Sequence, residues 1–489
     1  MDVLLTHSYF LHLDAKELKA QMPYPPLGTL YAAQMLLNAN VSAAVHDTMF
    51  EQTPNSIGEA LLRHRPQIVV IYDDQFNFLT KMCLTRMREA AFHMTRIAKH
   101  FGCTVIVFSS DATDHLAEYF LHGVDYVILG EAEHTLVELC ENLLPKGTAP
   151  LDSIRGVSYV QDGNIHRTPP RSIAQRVDDF PFPAWNLIDL GSYRRRWLKK
   201  HGYWSLNIVT TRGCPFHCNW CAKPIYGQVY NSRSPRNVVE EMLFLKETYH
   251  PDHIWFADDI FGLKPGWLQE FAAAVSAANA AIPYKCLSRV DLLLKDKAIV
   301  HLKNSGCKTV WVGAESGSQK ILDAMDKGTS IAQIYEATKQ LRAHGLRVGF
   351  FLQFGYPGET MQDIELTLKM VEECLPDEIG VSVSYPLPGT KFYERTREQL
   401  LHKANWTESN DLEMMFRGTF APEFYKTLHT ITHKKLRVWQ ARNAARRGWM
   451  QRETLSKKSV RFFASSAYHA ATLPMLQSRL RGFKPREHS

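Results

Sequence analysis

The chain has 489 residues, 45% of them hydrophobic and 22% charged, a balance typical of globular proteins and too apolar for a disordered one. Its net charge of +7 is uneven: residues 431–489 carry five Lys, nine Arg and two Glu, a net of +12, so the first 430 residues are at −5 and present no uniformly basic nucleic-acid-binding surface. No run approaches the ~18 uninterrupted apolar residues of a membrane span, and the start MDVLLTHSYF lacks the basic n-region of a secretory signal, so a cytoplasmic protein is expected.

Residues 1–145 alternate strand-like and helix-like segments. Strands are expected at Asp2–Thr6, Ser42–His46, Ile68–Tyr72, Thr104–Phe108 and Tyr126–Leu129. The runs IVVIY and TVIVF are apolar throughout, as in parallel strands buried on both faces. Five β–α alternations predict a doubly wound, Rossmann-like parallel sheet, whose ligands bind beyond the carboxyl ends of the strands. Those ends read Tyr72-Asp73-Asp74, Ser109-Ser110-Asp111 and Gly130-Glu131. A linking region, 146–200, follows. In it two strand candidates flank Asp162-Gly163-Asn164, a hairpin signal, ahead of the proline-stiffened Asp178-Asp179-Phe180-Pro181-Phe182-Pro183.

Alternation resumes over 201–390, with strands expected at Leu206–Thr210, His253–Ala257, Tyr284–Leu287, Thr309–Gly313, Val348–Phe354 and Ile379–Val383. Six β–α units predict a partial (β/α) barrel of the TIM type, with its chemistry at the carboxyl ends of the strands. The remainder, 391–489, has no strand signal and reads as a basic helical region. A basic face beside an apolar one can dock on the body or on anionic lipid.

Nine cysteines divide into six scattered residues and a group, Cys214-Pro-Phe-His-Cys218-Asn-Trp-Cys221, directly after the first barrel strand. Cys83, Cys103 and Cys140 fall in an expected helix, strand and helix. Three thiolates within eight residues can converge on one metal centre. Structural zinc asks for four ligands, usually as paired C-x2-C units, and no second pair is present. A [4Fe–4S] cluster held by only three cysteines keeps one iron open for a substrate.

This spacing at this place resembles the radical S-adenosylmethionine (SAM) family, and the later strand ends match its pattern in order over about 190 residues. The resemblance implies that Cys214, Cys218 and Cys221 bind the cluster, with Trp220 at the aromatic position before the third cysteine. It places Ala257, Asp258 and Asp259 at the SAM amino group, where Ala-Asp-Asp stands in place of the common Gly-Gly-Glu. It places Ser288 and Arg289 toward the SAM carboxylate, Glu315 on ribose or amino groups, and Gly355 in the adenine-contacting segment. Read without the resemblance, Asp258 and Asp259 suit helix N-caps, Arg289 suits a pair with Asp291, and Gly355 and Gly358 suit turns.

The domain plan is similar to the cobalamin-binding branch of that family, which includes the anaerobic Mg-protoporphyrin IX monomethyl ester cyclase and C-methyltransferases. Tyr24–Leu30, Val124–Glu133 and the proline-rich segment carry the likeness. It implies cobalamin beside the first sheet, with Ser109, Ser110 and Gly130 near it. The branch's D-x-H-x-x-G is absent, so no axial histidine on cobalt is expected, and His7, His12 and His46 read as ordinary polar residues. The implied activity is reductive cleavage of SAM to a 5′-deoxyadenosyl radical, used to methylate an unactivated carbon of a small-molecule or lipid-like substrate. A flavodoxin- or ferredoxin-type donor would supply the electron. Oxidative cyclisation or rearrangement is the alternative within enzymes; a cobalamin or iron–sulfur sensor is the alternative outside them.

Overall fold

The runs IVVIY and TVIVF form the middle of the first sheet in a computed structural model that describes residues 1–77, 84–145, 147, 150–222, 225–401, 406–407, 412–451 and 457–486, with side chains described for all of these but 447–451 and 457–461. Its strands are β1 (Val3–Thr6), β2 (Ala43–His46), β3 (Ile68–Tyr72), β4 (Thr104–Phe108), β5 (Tyr126–Ile128), β6 (Val157–Gln161) and β7 (Asn164–Arg167), and they lie in the order 2-1-3-4-5-6-7. The first five are parallel. Every residue of β1 and β3 is buried because helices cover both faces, which is why these strands read as unbroken apolar runs. The order reverses between β1 and β3, the topological switch point of a doubly wound fold. The hairpin β6–β7 extends the sheet antiparallel; Asp162 and Gly163 in its turn have φ of 51° and 74°, as a type I′ turn requires. Cys103 immediately precedes β4 and Cys140 lies in the helix Glu133–Leu143, while Cys83 is outside the described residues.

A two-strand ribbon, β9 (Thr211–Arg212) with β10 (Asn231–Ser232), follows β8 (Ser205–Ile208). The second sheet continues with β11 (His253–Phe256), β12 (Tyr284–Ser288), β13 (Cys307–Glu315), β14 (Arg347–Phe354) and β15 (Glu378–Val383), in the order 15-14-13-12-11-8. Helices alternate with these strands, as the β–α repeat predicts: Pro235–Thr248 starts on the Ser234 cap, and Ile331–Ala343 starts on a capping box of Ser330 and Gln333. The α/β partial barrel and the doubly wound sheet are both present as expected.

The chain forms two compact units, 1–216 with 223–286, and 217–222 with 287–404 and 412–489. Trp406 belongs to the first, where its carbonyl accepts from the Thr85 N–H at 2.8 Å. That unit's first core runs from Leu4 through Val69 and Val105 to Val127. The second unit's core joins Phe354, Tyr356, Ile364 and Phe392 to the long helix Pro422–Gln451 through Phe424, Tyr425, Leu428 and Ile431. A second helix, Lys457–Gly482, packs beside it, with Leu473 and Leu480 in the same core. The charges at Arg437, Arg442, Arg446, Arg479 and Arg481 stay exposed. Among the described residues no helix is long and apolar enough to cross a membrane.

Candidate functional site

In the first unit, the approach to the cysteine loop is held from beneath by Asp258. Its carboxylate, just past β11, accepts from the N–H groups of Thr210 and Thr211 at 2.7 and 2.8 Å and from both threonine hydroxyls at 2.8 Å. Burial pushes this carboxyl up to about 6 against those bonds. Asp258 therefore anchors the chain ahead of Cys214 and is not a helix cap. Ala257 is in the ladder, its N–H on the Ile208 carbonyl at 2.8 Å, and Asp259 is exposed.

Arg212, two residues before Cys214, is buried. Its guanidinium donates to Glu131, donates to Glu133 at 2.7 Å, and lies 3.7 Å from the Phe180 ring. The segment Gly130–Glu133 after β5 is thus tied to the start of the cysteine loop within one unit. Gly130 has φ of 75°, a left-handed backbone that glycine favours, and a Cβ there would meet nothing nearer than the Ile225 carbonyl at 3.9 Å. Ser109 is buried and caps its own helix by accepting the Ala112 N–H at 3.0 Å; Ser110 is buried beside it. At the switch point, Ser8 donates through its N–H and hydroxyl to Asp73 at 2.7–2.9 Å. His7 is buried with its Nε2 2.9 Å from Asp47.

In the second unit, Cys218-Asn219-Trp220-Cys221 is a turn closed by the Cys221 N–H donating to the Cys218 carbonyl at 3.2 Å. Cys214 and Cys218 are half-buried and Cys221 is exposed, whereas Cys103, Cys140, Cys286, Cys307 and Cys374 are all buried. Accessible thiols on one loop are the donor chemistry an iron–sulfur cluster needs. The three share that loop, yet no three-ligand metal group is already gathered among the described residues.

Glu315 ends β13 at a register shift and has φ of 56°, a strained backbone for a side-chain-bearing residue. Its Oε1 accepts from Lys327 Nζ at 2.7 Å, and both residues are buried. Burial works against the charge on Lys327, but Glu315 and Cys218 outweigh it and raise the ammonium above its ordinary value. Lys327 also stands 6.0 Å from the Trp220 ring. The sequence reading passed over this lysine because nothing at its position marks a partner twelve residues earlier. Ser288 is buried at the end of β12; Arg289 pairs with Asp291 at 3.0 Å and donates to the Lys327 carbonyl at 2.9 Å.

Two further buried groups escaped the sequence. Among the described residues, Gln353 Oε1 near the end of β14 and Ser384 Oγ just past β15 have no hydrogen-bond partner. Buried acceptors left this way fit a ligand that donates to them. Gly355 has φ of 81° and donates its N–H to Glu359 at 2.6 Å; burial pushes the Glu359 carboxyl up to about 8.

Comparison with known proteins gives this arrangement its place. Residues 208–371 match the radical SAM superfamily model. The chain is similar to an uncharacterized methyltransferase of Pyrococcus horikoshii, 28% identical over 80% of this chain and 83% of the other. It is also similar to the anaerobic magnesium-protoporphyrin IX monomethyl ester cyclase of Synechocystis, 24% identical over 90% and 89%. Among solved structures, the cobalamin-dependent S-adenosylmethionine radical enzyme OxsB superposes with a TM-score of 0.72 at 17% identity, covering 97% of this chain and 72% of that one, which shows a shared fold. Residues 208–371 thus form a radical SAM domain, and the chain that carries it is an enzyme.

Proposed function

We propose that this enzyme methylates an unactivated carbon of a small-molecule or lipid-like substrate with the help of cobalamin. The observation that carries methylation is the likeness to a methyltransferase over 400 residues, far more than the radical SAM domain of 208–371 accounts for. When bound, a [4Fe–4S] cluster with SAM supplies a carbon-centred radical and cobalamin carries a methyl group.

The residues of the chain then have these roles. Cys214, Cys218 and Cys221 hold the cluster, and Asp258 and Arg212 fix the approach to Cys214 through Thr210, Thr211, Glu131 and Glu133. Glu315 and Lys327 present an acceptor and a cation to the polar ends of SAM, while Gln353 and Ser384 offer their unused acceptors. Gly355 keeps its loop open for a flat group. Gly130 and Ser110, beyond the ends of β5 and β4, would bound the corrin. Ser109 supports that edge by capping its helix. Electron delivery from a flavodoxin- or ferredoxin-type donor, and contact of the basic C-terminal helices with anionic lipid, belong to the same proposal.

The test is anaerobic reconstitution, then reduction with SAM, cobalamin supplied or withheld. Retained corrinoid, 5′-deoxyadenosine and S-adenosylhomocysteine together are expected. Deoxyadenosine without S-adenosylhomocysteine, on turnover, favours the second reading, oxidative cyclisation, which the likeness to the Synechocystis cyclase supports. Neither corrinoid retention nor SAM cleavage, from protein with a full cluster, would leave a sensor.

A further inference from the structure

We propose that Asn219 is a positioning residue that sets the Cys218–Cys221 turn before any iron arrives. The inference rests on the reading that these cysteines hold a cluster. Asn219 is the second residue of that turn and is buried between two thiols that reach the surface. Each of its polar groups is engaged. Its N–H donates to the Met325 carbonyl at 3.1 Å, and its carbonyl accepts the Phe392 N–H at 3.0 Å. Its Nδ2 donates to the Ala324 carbonyl at 2.7 Å and to Asp326 at 3.1 Å. Its Oδ1 lies 2.8 Å from the Tyr356 hydroxyl.

Those partners come from three places: the end of the helix Gln319–Ala324, the loop after β14, and the helix Lys391–Thr396. The same stretch, Ala324 to Lys327, carries the ammonium that pairs with Glu315 and faces Cys218. One amide side chain thus fixes the two thiols, the Trp220 ring between them, and the distance from Cys218 to the buried cation. No aliphatic residue can do this, because the two donors and one acceptor of an amide are all used. Removing it would take one donor from the Asp326 carboxylate, would leave the Ala324 carbonyl only the Tyr356 hydroxyl at 2.9 Å, and would take from that hydroxyl its partner on the cysteine turn.

The experiment uses the full chain, reconstituted anaerobically as wild type, Asn219→Ala and Tyr356→Phe. It measures the rate at which bathophenanthroline strips ferrous iron, the electron paramagnetic resonance of the reduced cluster with and without SAM, and the melting temperature. Roughly tenfold faster iron release is expected for Asn219→Ala, with altered g-values, and a smaller acceleration for Tyr356→Phe, which keeps the ring and deletes only the hydroxyl. A solely structural role would lower the melting temperature and leave the g-values untouched, which overturns the proposal. Wild-type release rates in both variants also overturn it. Should Asn219→Ala fail to fold, Tyr356→Phe decides alone: unchanged release and g-values refute the idea. A wild-type chain that takes up no iron–sulfur cluster refutes the underlying reading instead, a result distinct from a loaded but unaltered variant.

Discussion

Two buried ion-pair systems serve the two units differently. Arg212 bridges two carboxylates, Glu131 and Glu133, and lies 3.7 Å from the Phe180 ring. Among the described residues the Lys327 ammonium has one ion-pair partner, Glu315 at 2.7 Å, whose backbone is itself strained. A planar fork satisfied on two edges and stacked on a ring is a fixture. A point charge on a flexible stem, paired once, keeps donors for an incoming anion. The first arrangement suits a framework and the second a ligand site.

Substitutions can break this contrast. The largest effect is expected from Cys218→Ala, which should abolish the iron–sulfur absorbance near ~400 nm and all SAM cleavage; full activity would refute the site. Next, Arg212→Met strands two buried carboxylates and should cost about 3–5 kcal/mol, read as a lower denaturation midpoint in urea. Arg212→Lys should recover little, since it restores neither the fork nor the stacking. Glu315→Ala should weaken SAM binding roughly tenfold by calorimetry and spare the iron content; an unchanged affinity would remove Glu315 from the SAM site.

A further test concerns Glu359, whose carboxyl is raised from 4.5 to about 8 by burial. A folded-state value above the unfolded one means the native protein binds more protons between those limits, so stability falls as pH rises through that window, by up to about 1.4 kcal/mol per unit. Glu359→Gln should flatten that part of the melting-temperature profile. If the slope persists, another group causes it.

The sequence was most legible where one residue type can do only one thing. The buried runs of β3 and β4, the Asp162-Gly163 turn and the cysteine spacing each declare themselves locally. Partnerships across distance did not. Glu131 and Arg212 are 81 residues apart, and Asn219 and Tyr356 are 137 apart, so no local pattern links them. Asp258 and Arg289 stand just after strands, where the alternating pattern puts them. Which groups they would face was decided by Thr210, Thr211 and Asp291, ordinary neighbours in the sequence.

The burial of the cysteines also sorts them by vulnerability. Five described thiols are shielded, and three reach the surface on one loop. When the loop is bare, air or an alkylating reagent should attack the second group within minutes and the first only after unfolding. Mass spectra of briefly treated protein, with sites read from its peptides, would then show a peak of adducts at Cys214, Cys218 and Cys221 and none at the five shielded thiols. The height of that peak would serve as a meter of how many molecules in a preparation carry no cluster, before any assay of turnover is attempted.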